Sequence, residues 1–361
     1  MNDREYLTAL YSFSYFGPAR TGLLVRYFGS AKKAWNVSLK ELIEIGINEN
    51  RAKEFIDYRD DFNFKEYFGK LVKQNIKVIT LDDPLYPENL KGINDAPLVL
   101  YLRGNLSKND VNALAIVGSR KITAYGREVT QKFATELANL GITIVSGLAF
   151  GVDLEAHKST LDAGGRCIAV LAGGIDVITP RSNEWLGMKI IKSGGAILSE
   201  FPPGVLPQKH FFPYRNRIIS GLAKGVIIIE GMIKSGTIHT AHHAAKQGRQ
   251  VFAVPGQVTS PMSGASHYLI KNGAVMLTEV NDILTELDLQ LKIDRDAVGK
   301  SLPADENEEK LINILANEPL HLDEVARIST LATSIVSARL TIMELKGLVK
   351  NLGGGVYKKI S

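Results

Sequence analysis

Between residues 114 and 277 the chain alternates short, almost wholly apolar runs with longer amphipathic stretches. The runs fall at 114–117, 142–145, 168–171, 196–198, 226–229, 251–254 and 274–277. A strand that is apolar at every position is buried on both faces, which requires helices on both sides of a parallel sheet. The pattern predicts a doubly wound, Rossmann-like, mostly parallel α/β sheet. Two further strand-like runs, 76–80 and 97–102, precede it, and the predicted domain spans 76–290.

Residues 1–75 carry helical patterning with little strand signal and are expected to form a helical N-terminal domain. Two glycine turns, Phe16-Gly17-Pro18-Ala19-Arg20 and Ile45-Gly46-Ile47-Asn48, separate apolar runs there. The spacing suits a SAM or helix-hairpin-helix-like arrangement, whose turn amides accept a phosphate. It also suits a plain bundle with glycine C-caps. Only Arg20, Arg26, Lys32 and Lys33 lie near the first turn, which favours the bundle. A polar segment at 291–307 predicts a linker. Residues 308–361 predict helices at 309–315, 322–328 and 334–346, then a hairpin through Gly353-Gly354-Gly355, the order of a winged helix-turn-helix.

Composition adds limits. The 361 residues are 45% hydrophobic and 22% charged, as in an ordinary globular protein. A formal charge of +5 suits a polyanionic partner without demanding one. The single cysteine, Cys167, sits in an apolar run and excludes an intramolecular disulfide. No signal-peptide pattern and no apolar segment of about 20 residues is present, so a soluble, cytoplasmic protein without a membrane contact is expected. From Asp305 onward, seven Lys/Arg face eight Asp/Glu. The winged domain is therefore a poor duplex binder by itself, because duplex affinity comes largely from neutralised phosphates.

Candidate chemistry gathers where the apolar strands end. Gly118-Ser119-Arg120 follows the first, Ser146-Gly147 and Gly151 the second, Gly173-Gly174 the third, and Ser235-Gly236-Thr237 the fifth. In an open α/β sheet ligands bind at the carboxyl ends of the strands. Glycines let backbone amides approach an anion, and hydroxyls at helix starts add donors. Four such loops on one sheet edge predict a phosphate-contacting rim. No G-x-G-x-x-G follows the first strand and no Walker loop exists, so neither a dinucleotide nor an ATP cofactor is expected. His239 and His243 share a helix face but lack a third ligand, so no metal is expected. Asp153 and His157, also one turn apart, are expected to be a stabilising pair at the sheet edge.

After the fourth strand, Lys209, Arg215 and Arg217 stand among Phe211, Phe212 and Tyr214, with Asn216 between the arginines. Bases stack on aromatic rings at roughly 1–3 kcal/mol each while cations follow the backbone, and only a single strand offers both groups at once. One of the two arginines is expected to be structural, paired with Glu200 or Glu230.

Together, Gly118-Ser119-Arg120, Ser146-Gly147-x-Ala149-x-Gly151-Val152-Asp153-x-x-Ala156-His157, Phe212-Pro213-x-Arg215-Asn216-Arg217-Ile218-Ile219-Ser220-Gly221-Leu222 and Gln247-Gly248-Arg249-x-Val251-Phe252-Ala253-Val254-Pro255-Gly256 resemble the DNA-processing protein A family (DprA, also called Smf). The resemblance implies a non-enzymatic single-stranded DNA-binding protein of natural transformation. Such a protein protects incoming strands, forms a homodimer and loads the RecA recombinase. Arg120, Lys209, Phe212 and 215–217 would then line the DNA groove. Where the family has Tyr-Pro after the third strand, this chain has Asp176-Val177-Ile178-Thr179-Pro180. The dimer contact is expected at 267–270 and 275–277. The competing reading is a phosphoribohydrolase-like enzyme using Glu200, Glu230 or Asp153 over a ribose.

Overall fold

The computed structural model describes residues 1–288, 306–316, 318–345 and 348–359. The chain divides into two compact units, Met1–Leu291 and Lys292–Ser361. In the first, nine strands form one sheet: β1 Lys77–Thr80, β2 Val99–Gly104, β3 Leu114–Val117, β4 Ile144–Ser146, β5 Cys167–Val170, β6 Ala196–Ser199, β7 Gly225–Ile228, β8 Gln250–Ala253 and β9 Val275–Met276. Their order is β1-β2-β6-β5-β4-β3-β7-β8-β9. From β6 to β9 every pairing is parallel, while β1 and β2 add an antiparallel edge. The seven apolar runs are thus the parallel strands, as the doubly wound pattern requires.

Side-chain alternation divides the core into layers. On one face Ala115, Val117, Val226 and Ile228 pack with Ile218, Ile219, Leu222, Ala241 and Ala244 of helices Phe211–Leu222 and Gly236–Lys246. On the other, Leu114, Ile116, Ile227 and Ile229 pack with Phe133, Leu137, Val152 and Ala156. The chain winds outward from β3 to β6 and then returns to place β7 beside β3, with Leu114 opposite Gly225 and Val117 opposite Ile228. That reversal opens a crevice beyond the carboxyl ends of β3 and β7.

Six helices precede the sheet, from Asp3–Ser12 to Phe64–Lys73, around a core that includes Leu10, Phe16, Trp35, Leu42 and Phe55. Gly46 closes helix Leu39–Glu44 at φ +91°, with the Ile47 amide donating to the Leu42 carbonyl at 3.0 Å, a glycine cap of the bundle type. Gly17 instead opens helix Gly17–Phe28. This bundle is tied to the sheet by Tyr11 Oη donating to Glu200 at 2.7 Å, by the Arg4–Asp83 ion pair at 3.0 Å, and by the Tyr67 and Tyr101 hydroxyls 2.9 Å apart.

The predicted linker lies outside the described residues as far as 305, and its last two residues already belong to helix Glu306–Ile314. The second unit adds helices Leu322–Ser329 and Thr333–Leu345 and strands β10 Leu320–His321, β11 Val349–Asn351 and β12 Val356–Lys359, in the order β10-β12-β11. Leu311, Val325, Val336, Leu340, Met343 and Tyr357 form its core. It is a winged helix with one strand, β10, beyond the predicted hairpin. No helix among the described residues is long and apolar enough to cross a membrane.

Candidate nucleic-acid interface

The crevice between β3 and β7 holds a cavity of about 510 Å³. One wall is Gly118, Ser119, Arg120 and Lys121; the facing wall is Ser235, Gly236, Thr237 and Met232. Lys209, Phe212 and Asn216 enter from helix Phe211–Leu222 and the loop before it, and Asp153 and Arg215 also line the cavity.

The loop after β3 is held from three sides. The Ser119 amide donates to the Glu230 carbonyl at 3.0 Å, and the Ser119 carbonyl accepts from the Val152 amide at 3.1 Å. The carboxylate of Glu230, just beyond β7, accepts from the Thr123 amide at 2.7 Å and the Thr123 hydroxyl at 2.6 Å. Thr123 in turn caps helix Ala124–Asn139, so one buried carboxylate joins a helix start to the neighbouring strand end. Gly151, at φ +78°, is required by close approach: a Cβ there would stand 2.2 Å from the Ser119 carbonyl oxygen. By residue type Glu230 suits a catalytic carboxylate or an arginine partner; in the structure it accepts from Thr123 instead of pairing with an arginine. Its positioning role depends on β7 lying next to β3, which no local motif encodes.

This anchoring leaves Arg120 exposed, its guanidinium carbon 4.6 Å from the centroid of the Phe212 ring. Arg120, Lys121 and Lys209 have no ion-pair partner among the described residues. Of the three aromatics expected here, only Phe212 faces the cavity. Phe211 stacks on Phe201 with ring centroids 4.2 Å apart, and Tyr214 lies under the Arg217 guanidinium at 4.2 Å.

Several predicted DNA ligands are corrected. Arg217 is 1% exposed, and its Nη2 donates to both carboxylate oxygens of Glu200 at 2.6 and 2.5 Å. Its charge is consumed inside the fold. Arg215 is also buried: it donates to the Gly147 carbonyl at 2.9 Å and to the Val170 carbonyl, and burial lowers its pKa to about 10. Arg217 is thus the structural one of the two, while Arg215, held by backbone carbonyls, still lines the cavity. Gly147 makes room for that guanidinium, since a Cβ would fall 2.4 Å from Arg215 Nη2. Ser146 is buried and donates to the Ile116 carbonyl at 2.7 Å. Gly173 and Gly174 lie beneath segment 202–207, with the Gly174 amide donating to the Val205 carbonyl at 2.7 Å. Asp176, where the aromatic edge is missing, accepts from the Gly204 amide at 2.8 Å and pins the same segment. Of the four predicted loops, those after β3 and β7 line the cavity most fully, and the one after β4 reaches it through Ala149 and Asp153. Lys121, Met232 and Met262 line the cavity without having been singled out in the sequence.

Of the carboxylates suited to a hydrolase, Glu200 is bound to Arg217 and Tyr11 and Glu230 to Thr123; only Asp153 reaches the cavity. Burial raises its pKa, with Arg215 opposing. His157, one turn on, is fully buried, and desolvation pushes its imidazole down to about 3. The native state thus refuses a proton that the unfolded chain accepts near pH 6.5. Stability from this group is complete above pH 6.5 and falls as the pH drops toward 3, at roughly 1.4 kcal/mol per pH unit. Urea midpoints measured from pH 7 to pH 4 should fall more steeply for the native chain than for His157→Gln. Parallel slopes would refute the buried neutral imidazole.

A family model described as DNA recombination-mediator protein A matches residues 77–288, and the DprA winged helix domain matches 295–355. Protein Smf of Escherichia coli is 36% identical over 341 residues, covering 93% of this chain and 91% of that protein. DNA processing protein DprA of Bacillus subtilis is 44% identical over 218 residues, 60% of this chain and 72% of its own. Among solved structures, DNA processing protein A from Streptococcus pneumoniae superposes with a TM-score of 0.66 at 32% identity, covering 79% of this chain and 98% of that one. DNA processing protein A from Helicobacter pylori, studied for its single-stranded DNA binding mode, gives 0.51 at 30% identity over 58% and 95% of the two chains. On the match across its central sheet and along nearly its whole length, the chain belongs to the DNA recombination-mediator protein A (DprA/Smf) family.

Proposed function

We propose that the protein binds single-stranded DNA, without sequence preference, in the crevice between β3 and β7. The observation that carries the reading is Arg120 lying over Phe212 at a cavity that Lys121 and Lys209 also line, both without an ion pair among the described residues. A phosphate satisfies the cations while an unstacked base lies on the Phe212 ring, a combination a duplex cannot offer. The named single-strand binding of the Helicobacter pylori relative supports the same reading. The finer part rests on family membership alone: a cytoplasmic homodimer that passes the strand to RecA during transformation. The reading assigns no catalytic residue.

Gel shifts with oligo-dT and with a duplex of equal length test it. Single strands should bind well ahead of the duplex, and log affinity should fall linearly with log salt, at about 0.7 per phosphate neutralised. Equal binding of the two forms would overturn the single-strand reading, and release of free base from nucleoside monophosphates would return the case to the hydrolase reading.

A further inference from the structure

We propose that Phe150 and Trp185 form a second base-stacking platform, outside the cavity, along which the single strand runs after it passes Arg120. The proposal rests on the single-strand reading above and extends it beyond the crevice. Neither side chain lines the cavity. Phe150 is 50% exposed and Trp185 51%, whereas the other tryptophan, Trp35, is 4% exposed inside the helical bundle. Half-open aromatic rings offer apolar faces that an unstacked base covers.

Local structure ties both rings to the crevice. Phe150 lies between β4 and helix Val152–Asp162. Leu148 and Ala149 before it are buried, and Leu148 turns the chain at a left-handed φ of +57°. The next residue, Gly151, packs so closely on the loop after β3 that a Cβ there would stand 2.7 Å from the Arg120 carbonyl carbon. On the other side Asn183, 1% exposed, donates from Nδ2 to the Leu148 carbonyl at 3.0 Å and the Ala149 carbonyl at 3.2 Å. Asn183 is the N-cap residue of helix Glu184–Lys192, so Trp185 stands in a first turn fastened to the segment that carries Phe150. Further along, Lys189 and Asp162 pair at 2.7 Å between these two helices. One turn back from each stand Trp185 and Lys158, neighbours across the same helix pair by the i, i+4 spacing.

Charge follows the same line. Lys158 and Arg181 are exposed and have no ion pair among the described residues, with Glu184 as the acid beside them. Together with Arg120 they alternate positive charge with aromatic faces, the arrangement a single strand matches. Continuity with the crevice selects DNA as the occupant. A strand held at Arg120 has to leave the cavity, and Phe150 stands one residue from the close contact with Arg120.

The test is tryptophan emission of the full chain titrated with oligo-dT, since a stacked base quenches an indole and buried Trp35 is out of its reach. Emission should fall as the native chain saturates and stay constant in Trp185→Phe, which keeps a ring to stack on and should bind within about twofold of native. Phe150→Ala and Trp185→Ala should each weaken binding roughly tenfold, a loss within the range for one stacked base. Circular dichroism checks the fold of each variant, and the native emission reads the platform even if an alanine variant unfolds. Unchanged native emission at saturating strand, or folded alanine variants that bind as the native chain does, overturns the platform and leaves binding in the crevice standing. Loss of self-association in those variants with oligo-dT affinity intact also overturns it, and assigns the face to a second copy of the chain. Failure of the native chain to bind oligo-dT overturns the underlying reading as well.

Discussion

Replacing Arg120 by glutamate should lower affinity for oligo-dT by about two orders of magnitude while leaving thermal unfolding within about a degree of the native chain. Arg120 is exposed, lies 4.6 Å from the Phe212 ring and has no ion pair among the described residues, with Asp153 and Arg215 as its charged neighbours. The substitution removes no packed side chain, and surface changes away from packed features usually stay within about 0.5 kcal/mol. Binding forfeits a charge-assisted hydrogen bond to phosphate of roughly 1.5–3 kcal/mol, and the new carboxylate repels the strand. Fluorescence anisotropy at fixed salt measures the affinity, and circular dichroism the fold. Unchanged affinity would move the DNA path away from the loop after β3.

Replacing Arg217 by alanine should have the opposite profile, costing about 3–5 kcal/mol of stability while every proposed phosphate ligand stays in place. Arg217 is 1% exposed between Glu200, the Asp95 carbonyl and the Tyr214 ring. Without it, Glu200 is left in a site where burial already raises its pKa, opposed by Arg217 and by the Tyr11 hydroxyl. A lone buried carboxylate must be protonated or hydrated, and either loosens the packing of the first helix on the sheet. The paired change Glu200→Leu/Arg217→Met should recover most of the stability, because a buried ion pair is worth little relative to apolar groups of similar volume. Denaturant unfolding of the single and double variants measures this. If Arg217→Ala unfolds at the native midpoint but binds oligo-dT poorly, Arg217 is a DNA ligand after all.

The contrast between Arg120 and Arg217 shows how far the sequence reaches. Both stand in motifs rich in glycine, cations and aromatics, and by residue type both suit a phosphate. Apolar runs of strand length determined the doubly wound class, because a strand apolar on every residue has only one stable setting, between two helical layers. The same local logic located the winged helix, the glycine-bearing strand ends and the family motifs.

Which strand ends meet depends on pairings between residues more than a hundred positions apart. Placing β7 beside β3 brings Glu230 to Ser119 and Thr123, and Ser235 and Thr237 to face Arg120. Segment 202–207, folded back over the end of β5, covers Gly173 and Gly174, while the Arg215 guanidinium fills the space at Gly147 and leaves the loop after β4 to meet the cavity through Ala149 and Asp153. The sequence by itself determined the elements, the family and the chemistry at the sheet edge, since these follow from local spacing and polarity. Only the tertiary structure decided which charges remain free, because a guanidinium becomes a ligand or a buried counterion according to the carboxylates and carbonyls that distant strands bring to it.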